Sequence, residues 1–135
     1  MPTDASLEHD KPVLLHHWSF DSGLAGPAQD WAAGRSDRIE GVQAFVPGAT
    51  GGLALRFDGF TTALDRPQGP AMPPGSFTVE AWIAPGAWPW NLAPILDMAP
   101  QEGEGFHLSL DSTGRIVFAA ALEHGLVTAR SPESL

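Results

Sequence analysis

Two kinds of side chain in this sequence have the type and spacing for chemistry: carboxylates and tryptophans. Hydrolysis of a glycosidic bond needs two carboxyl groups on one face, one as acid and the other as base or nucleophile. Glu102-Gly103-Glu104 has the required alternation, but it sits in a Gly-rich turn without a third acid. Short matches of that kind are most often solvated loops. Glu80 falls on an expected strand beside Trp82, and a lone carboxylate cannot divide the acid and base roles. No serine–histidine–acid arrangement and no Gly-rich phosphate loop stands out. The expected set of catalytic residues is therefore empty.

Metal ligation is the second chemistry to weigh. His16 and His17 are adjacent on an expected strand, so their side chains point to opposite faces and do not share an ion easily. His9, His107 and His124 are scattered, which argues against zinc. Calcium takes hard oxygen donors. Asp21, Asp30, Asp37 and Asp58 are the candidate donors. Each also fits a turn residue that accepts from its own backbone.

The tryptophans are five, with no tyrosine. Trp88 and Trp90 lie in a Pro-rich loop, followed by Asn91. A sugar ring presents C–H faces that stack on indole. Trp88, Trp90 and Asn91, with Trp82 and Glu80 nearby in sequence, make the candidate carbohydrate-binding set. The competing reading is that Trp88 and Trp90 pin their loop to the domain or to a neighbour, because indole offers large apolar area with one polar handle.

These residues must be positioned by strands. Val13 to Phe20 alternates with Leu14, Trp18 and Phe20 on one face. Ser22 to Gly41 is expected to be loop, with one helical turn at Trp31-Ala32-Ala33. Gln43 to Val46 is a short strand before Pro47-Gly48, and Leu53 to Phe57 alternates. Asp58-Gly59 is a hairpin signal with Thr61 to Asp65 returning. Pro67 to Gly75 is loop by its prolines and glycines. Phe77 to Ile83 has the clearest alternation: Phe77, Val79, Ala81 and Ile83 on one face, Thr78, Glu80 and Trp82 on the other. Ile95 to Met98 is another short strand. Phe106 to Leu110 is expected to pair with Arg115 to Ala121 across Asp111-Ser112-Thr113-Gly114, and Leu126 to Ala129 to close the series.

Composition limits the classes. A chain of 135 residues holds one domain at most. Its hydrophobic content of 43% is enough for a core. Fifteen glycines and thirteen prolines suit many turns. Without cysteine there is no disulfide and no thiol chemistry. A formal net charge of −9 opposes binding to nucleic acid and to anionic membrane. No apolar run approaches a membrane span. Met1 to Pro12 is polar, so it is expected to be a disordered lead-in, and no signal peptide is visible in it.

Four motifs follow one another in order: His17-Trp18-Ser19-Phe20-Asp21, Gly51-Gly52-Leu53-Ala54-Leu55-Arg56-Phe57-Asp58-Gly59, Phe77-Thr78-Val79-Glu80-Ala81-Trp82-Ile83 and Gly105-Phe106-His107-Leu108-Ser109-Leu110. Together they resemble the laminin-G-like domains of the concanavalin A-like superfamily. The segments 34–41 and 88–95 resemble a subgroup whose jelly roll precedes a five-bladed β-propeller glycosidase, similar to glycoside hydrolase family 32. The resemblance implies an all-β, antiparallel jelly-roll β-sandwich over 13–129, with a tail at 130–135. It also implies that the last strands of the family are missing before Leu135, which leaves open sheet edges and a route to self-association. The Glu-x-Asp-x-x-Glu pattern of the superfamily's sandwich glycosidases is not found here, whereas relatives often hold a structural calcium at the sandwich rim. The expected function is a non-catalytic module that binds carbohydrate or braces a neighbouring glycosidase domain. The rival expectation is a protein-interaction module without sugar affinity.

Overall fold

The computed structural model describes residues 11–67, 69, 73, 75–99 and 104–135. These residues form ten β-strands and no helix, and every strand pairing is antiparallel. The all-β, antiparallel class expected from the sequence is the one found. The chain divides into two compact units, Met1–Pro67 and Gln68–Leu135.

The first unit contains β1 (Trp18–Ser19), β2 (Ala28–Asp30), β3 (Arg35–Glu40), β4 (Ala44–Pro47), β5 (Leu53–Arg56) and β6 (Ala63–Asp65). Four of them form a sheet in the order β1-β2-β3-β6, and β4 pairs with β5 as a separate ribbon. Alternation along β3 turns Asp37 and Ile39 inward and leaves Ser36, Arg38 and Glu40 exposed. Ala28 of β2 stands opposite Asp37, and Leu64 of β6 opposite Ile39. Ala28, Ile39 and Leu55 are the buried centre, with Trp18, Phe20, Phe45 and Leu64 packed against it.

Several local expectations change here. The stretch 22–41 holds β2 and β3, not a loop with a helical turn. Trp31-Ala32-Ala33 is the bend of the β2–β3 hairpin, closed by the Gly34 amide donating to the Asp30 carbonyl at 3.0 Å. Gly34 has φ of 64°, where a side chain is strained, so glycine suits the turn. Asp58-Gly59 does not close a two-strand hairpin either: β5 pairs with β4, and β6 with β3. Of Val13 to Phe20, Trp18–Ser19 alone is laddered.

The second unit contains β7 (Ala93–Asp97), β8 (Phe106–Leu110), β9 (Ile116–Leu122) and β10 (Gly125–Arg130), a meander in the order β10-β9-β8-β7. The expected β8–β9 hairpin is present, with Leu108 opposite Phe118 and Phe106 opposite Ala120. Phe106, 2% exposed, is the most buried apolar side chain here. Phe77 covers it at 4.8 Å between ring centroids, and Phe118 lies 5.6 Å away. Burying a phenylalanine side chain stabilises by about 1.5–3 kcal/mol, so this aromatic trio is the anchor of the unit.

Phe77 to Ile83 is the largest departure from expectation. The stretch runs without a turn or bend, and Phe77 and Val79 are half-buried while Thr78 and Glu80 are exposed. It is nevertheless not a strand, because no described residue pairs with it. Beyond Val79 the alternation in burial fades: Ala81, Trp82 and Ile83 are all exposed. Of the expected loops and leads, residues 1–10, 68, 70–72, 74 and 100–103 lie outside the described residues. Glu102 is among them, and Glu104 is exposed. No helix among the described residues is long and apolar enough to cross a membrane.

Candidate functional site

Two constellations compete for the role of site, one in each unit. The first is a charged cluster on the inward face of the β1-β2-β3-β6 sheet. Asp30 is fully buried and Asp37 is 3% exposed. Arg66, immediately after β6, donates through Nε to Asp37 Oδ1 at 2.6 Å and through a terminal nitrogen to Asp30 Oδ2 at 2.7 Å, with a further bond to Asp37 Oδ2. Trp18 Nε1 donates to Asp37 Oδ2 at 2.7 Å, and the guanidinium lies 5.0 Å over the Trp18 ring. His16 stacks on Trp18 at 5.5 Å and sets Nδ1 2.8 Å from Asp30 Oδ2 and 3.0 Å from an Arg66 nitrogen. One ring nitrogen cannot donate to the carboxylate and accept from the guanidinium at once, so the tautomer chooses between them.

Asp30 also accepts from the amides of His17, Ala32 and Ala33, which ties the β1 entry to the β2–β3 turn. Burial alone would raise its pKa. The bonds from His16, Arg66, His17 and Ala33 outweigh that and hold it well below the usual carboxylate range. For Asp37 the bond from Arg66 is the main cause of a lowered pKa, working against burial and aided by Trp18. The same bonds, Asp37's first, push Arg66 upward. No buried side-chain nitrogen or oxygen among the described residues lacks a partner. A cluster whose buried carboxylates are satisfied in this way holds strands together.

The calcium expectation meets the same geometry. Asp30 and Asp37 do come together, but the cation between them is Arg66. Asp21 is elsewhere, accepting from the Leu53 amide at 3.0 Å and from Ser19 Oγ at 2.9 Å. Asp58 accepts from Thr61 Oγ1 and from the amides of Phe60, Thr61 and Thr62, and the Thr61 hydroxyl leads the set that lowers its pKa. The four carboxylates thus engage backbone amides and side chains of the protein, in three separate places. Among the described residues no group of three or more histidine, aspartate or glutamate side chains could hold a metal ion.

The second constellation is the tryptophan stretch of the second unit. Trp88 and Trp90 behave differently. A Cβ placed on Gly114 would meet the six-membered ring of Trp88 at 3.0 Å, so that indole lies flat against the β8–β9 turn and needs glycine there. The turn itself is built by Asp111 Oδ1, which accepts from Thr113 Oγ1 and from the amides of Thr113 and Arg115. Those bonds, the Thr113 hydroxyl's first, lower Asp111 to about 2. Trp88 is left 49% exposed, whereas Trp90 is 89% exposed and Asn91 beside it is also exposed. Trp82 is 81% exposed, with Glu80 exposed two residues before it.

Of the sequence-derived carbohydrate set, then, Trp90, Asn91, Trp82 and Glu80 are accessible, and Trp88 acts as the anchor of its loop. The two tryptophans differ in setting: Trp88 rests against the β8–β9 turn and Trp90 is exposed. Sequence reasoning missed Arg66 entirely and weighed His16 only as a metal ligand. The available signal was the pair of inward carboxylates at Asp30 and Asp37, which require a buried cation once both are placed on one sheet face.

No family model matches this chain, and no curated protein matches it. Among solved structures it is similar to an S-layer domain-containing protein (residues 221–444) from Clostridium thermocellum ATCC 27405, with 23% identity and a TM-score of 0.68. That match covers 89% of this chain and 58% of the other, so this chain spans little more than half of its neighbour. The likeness is one of fold.

Proposed function

We infer that this chain is a non-catalytic carbohydrate-binding module of a larger protein, built on a jelly-roll sandwich of the laminin-G-like kind. The observation that carries this reading is Trp90, 89% exposed beside exposed Asn91, on a stretch braced by Trp88 against Gly114. An indole held out on an anchored loop offers a flat apolar face to the C–H side of a pyranose or furanose ring, and Asn91 offers both a donor and acceptor for a ring hydroxyl. Large exposed apolar side chains usually mark a contact. The non-catalytic part of the reading is supported by the engagement of Asp30 and Asp37 with Arg66 and of Asp21, Asp58 and Asp111 with backbone donors. In the architecture that the sequence resembles, such a module precedes a glycosidase domain and delivers or steadies it.

The test is a titration of the folded chain with soluble fructans, glucans and galactans, followed by tryptophan fluorescence. A saturable shift that disappears in Trp90→Ala is the expected result. A flat response to every glycan from folded protein overturns the sugar reading.

A further inference from the structure

A feature of the first unit, independent of the sugar reading, is an imbalance of charge at the entry to β1. Asp30, Asp37 and Arg66 are joined by hydrogen bonds, with side chains 0%, 1% and 9% exposed. Two carboxylates and one guanidinium leave one negative charge in excess. His16 is the titratable side chain that meets both signs. Its Nδ1 stands 2.8 Å from Asp30 Oδ2 and 3.0 Å from a terminal nitrogen of Arg66. The side chain is 21% exposed, so it exchanges protons with water. Imidazole is the side chain whose charge ordinarily changes between about pH 5 and pH 8. Which neighbour Nδ1 serves therefore follows from how many protons the ring holds.

The two partners are not equally provided for. Asp30 Oδ1 accepts from the amides of His17, Ala32 and Ala33, and Oδ2 accepts from Arg66. Arg66 directs Nε and one terminal nitrogen to Asp37 and Asp30, and its other terminal nitrogen faces His16. A guanidinium N–H can only donate, and a neutral ring with its proton on Nε2 offers Nδ1 as the acceptor. An imidazolium has donors alone, so it turns Nδ1–H to Asp30 and cancels the excess charge. The other charged groups nearby face elsewhere. Arg35 is half-exposed and comes to 4.0 Å from Asp37. Arg38 and Asp65 contact each other at 3.5 Å on the opposite face of the sheet, and His17 is exposed. Trp18 feels whichever partner is chosen. His16 stacks on its ring, the Arg66 guanidinium lies 5.0 Å over it, and its Nε1–H is donated to Asp37. We propose that His16 is a proton-operated switch at the entry to β1, donating to Asp30 as the imidazolium and accepting from Arg66 as the neutral ring.

The experiment is an NMR titration of the whole chain, labelled with nitrogen-15 in histidine, arginine and tryptophan, between about pH 5 and pH 8. At the acid end His16 is expected to carry protons on both ring nitrogens. At the alkaline end its Nδ1 resonance should move to the range of a bare nitrogen that accepts a hydrogen bond, while Nε2 keeps its proton. The Arg66 guanidinium and Trp18 Nε1–H resonances should shift with the same midpoint as the ring. His16→Gln should abolish the movement of Trp18 Nε1–H over this range, and His17→Gln should leave it in place. Three results overturn the proposal. One is a neutral ring that keeps its proton on Nδ1, so that the bond to Asp30 persists at both ends. Another is a set of Arg66 and Trp18 resonances that stay still while His16 titrates. The third is a ring that holds one charge state throughout. All three are read on the unsubstituted protein, so they stand even where His16→Gln fails to fold.

Discussion

The two β-hairpins built around Asp30 and Asp111 use the same device to different ends. In each, an aspartate at the end of one strand accepts from amides of the turn, and a glycine closes it: Asp30 with Ala32, Ala33 and Gly34, Asp111 with Thr113, Gly114 and Arg115. Asp111 does little more than that, apart from a contact with Arg130 at 3.4 Å. Asp30 is fully buried and must also be neutralised, so it recruits Arg66 and His16 and, through Arg66, Asp37. A turn motif that meets one exposed arginine in the second unit is joined in the first to a buried arginine, a second carboxylate and a histidine. Asp111 is also buried, at 7% exposed, so the difference lies in the cation: Arg66 is buried with Asp30 and Asp37, whereas Arg130 stays exposed.

That contrast is open to attack at several points. The largest effect is expected from Arg66→Met, which leaves two buried carboxylates without their cation. Breaking a buried pair in this way costs about 3–5 kcal/mol. Urea denaturation should show it, and amide exchange should rise around β2 and β3. A loss under 1 kcal/mol would mean that water reaches Asp30 and Asp37 and that the cluster is no keystone.

Phe106→Ala tests the second unit, where packing and not charge is the anchor. Loss of a buried phenylalanine is worth about 3–5 kcal/mol, and the Phe77 stretch should lose its seat along with it. A variant that keeps native shifts at 77–83 would show that Phe77 holds its place by other contacts.

The third prediction concerns pH. Asp30 and Asp37 have folded-state pKa values below their ordinary value of about 3.9. The stability they add is full above that value and is lost as the pH falls through it toward the folded-state values. Thermal unfolding should therefore show Tm falling between about pH 5 and pH 2, more gently in a protein carrying Asp30→Asn and Asp37→Asn together. An equal slope in this variant would place the acid sensitivity elsewhere.

The smallest effects on stability are expected at the two tryptophans, and they should diverge. Gly114→Ala strains a turn residue with φ of 80° and crowds Trp88, for a loss of about 1–2 kcal/mol by the mechanisms of positive-φ glycine and overpacking. Trp90→Ala, on the surface, should stay within about 0.5 kcal/mol while removing the glycan response. If Trp90→Ala destabilised as much as Gly114→Ala, Trp90 would be a packing residue and not a platform.

Most strands of both units were legible in the sequence, β4, β5 and β6 among them, but β2 and β3 were not. The β8–β9 hairpin follows from alternation on both sides of Asp111-Ser112-Thr113-Gly114, a local pattern with a local cause. In β3 the same alternation is present, but its buried row is Asp37 and Ile39, with exposed Arg35 leading the strand. A pattern read by hydrophobicity passes over a strand with a single apolar residue, one of whose two buried positions is a carboxylate. Phe77 to Ile83 shows the converse: its alternation is clear, yet a strand also needs a neighbour, which residue pattern alone does not supply.

The sequence by itself determined the all-β class, the turn at Asp111–Gly114 and the presence of surface-seeking tryptophans, because alternation, turn chemistry and composition act over a few residues. Tertiary structure alone decided that Arg66 would stand between Asp30 and Asp37, sites 36 and 29 residues away along the chain. It alone decided that Trp88 would rest on Gly114 while Trp90 stood free. Both outcomes depend on which distant groups share one desolvated space, and burial, unlike strand periodicity, is a property of the folded whole.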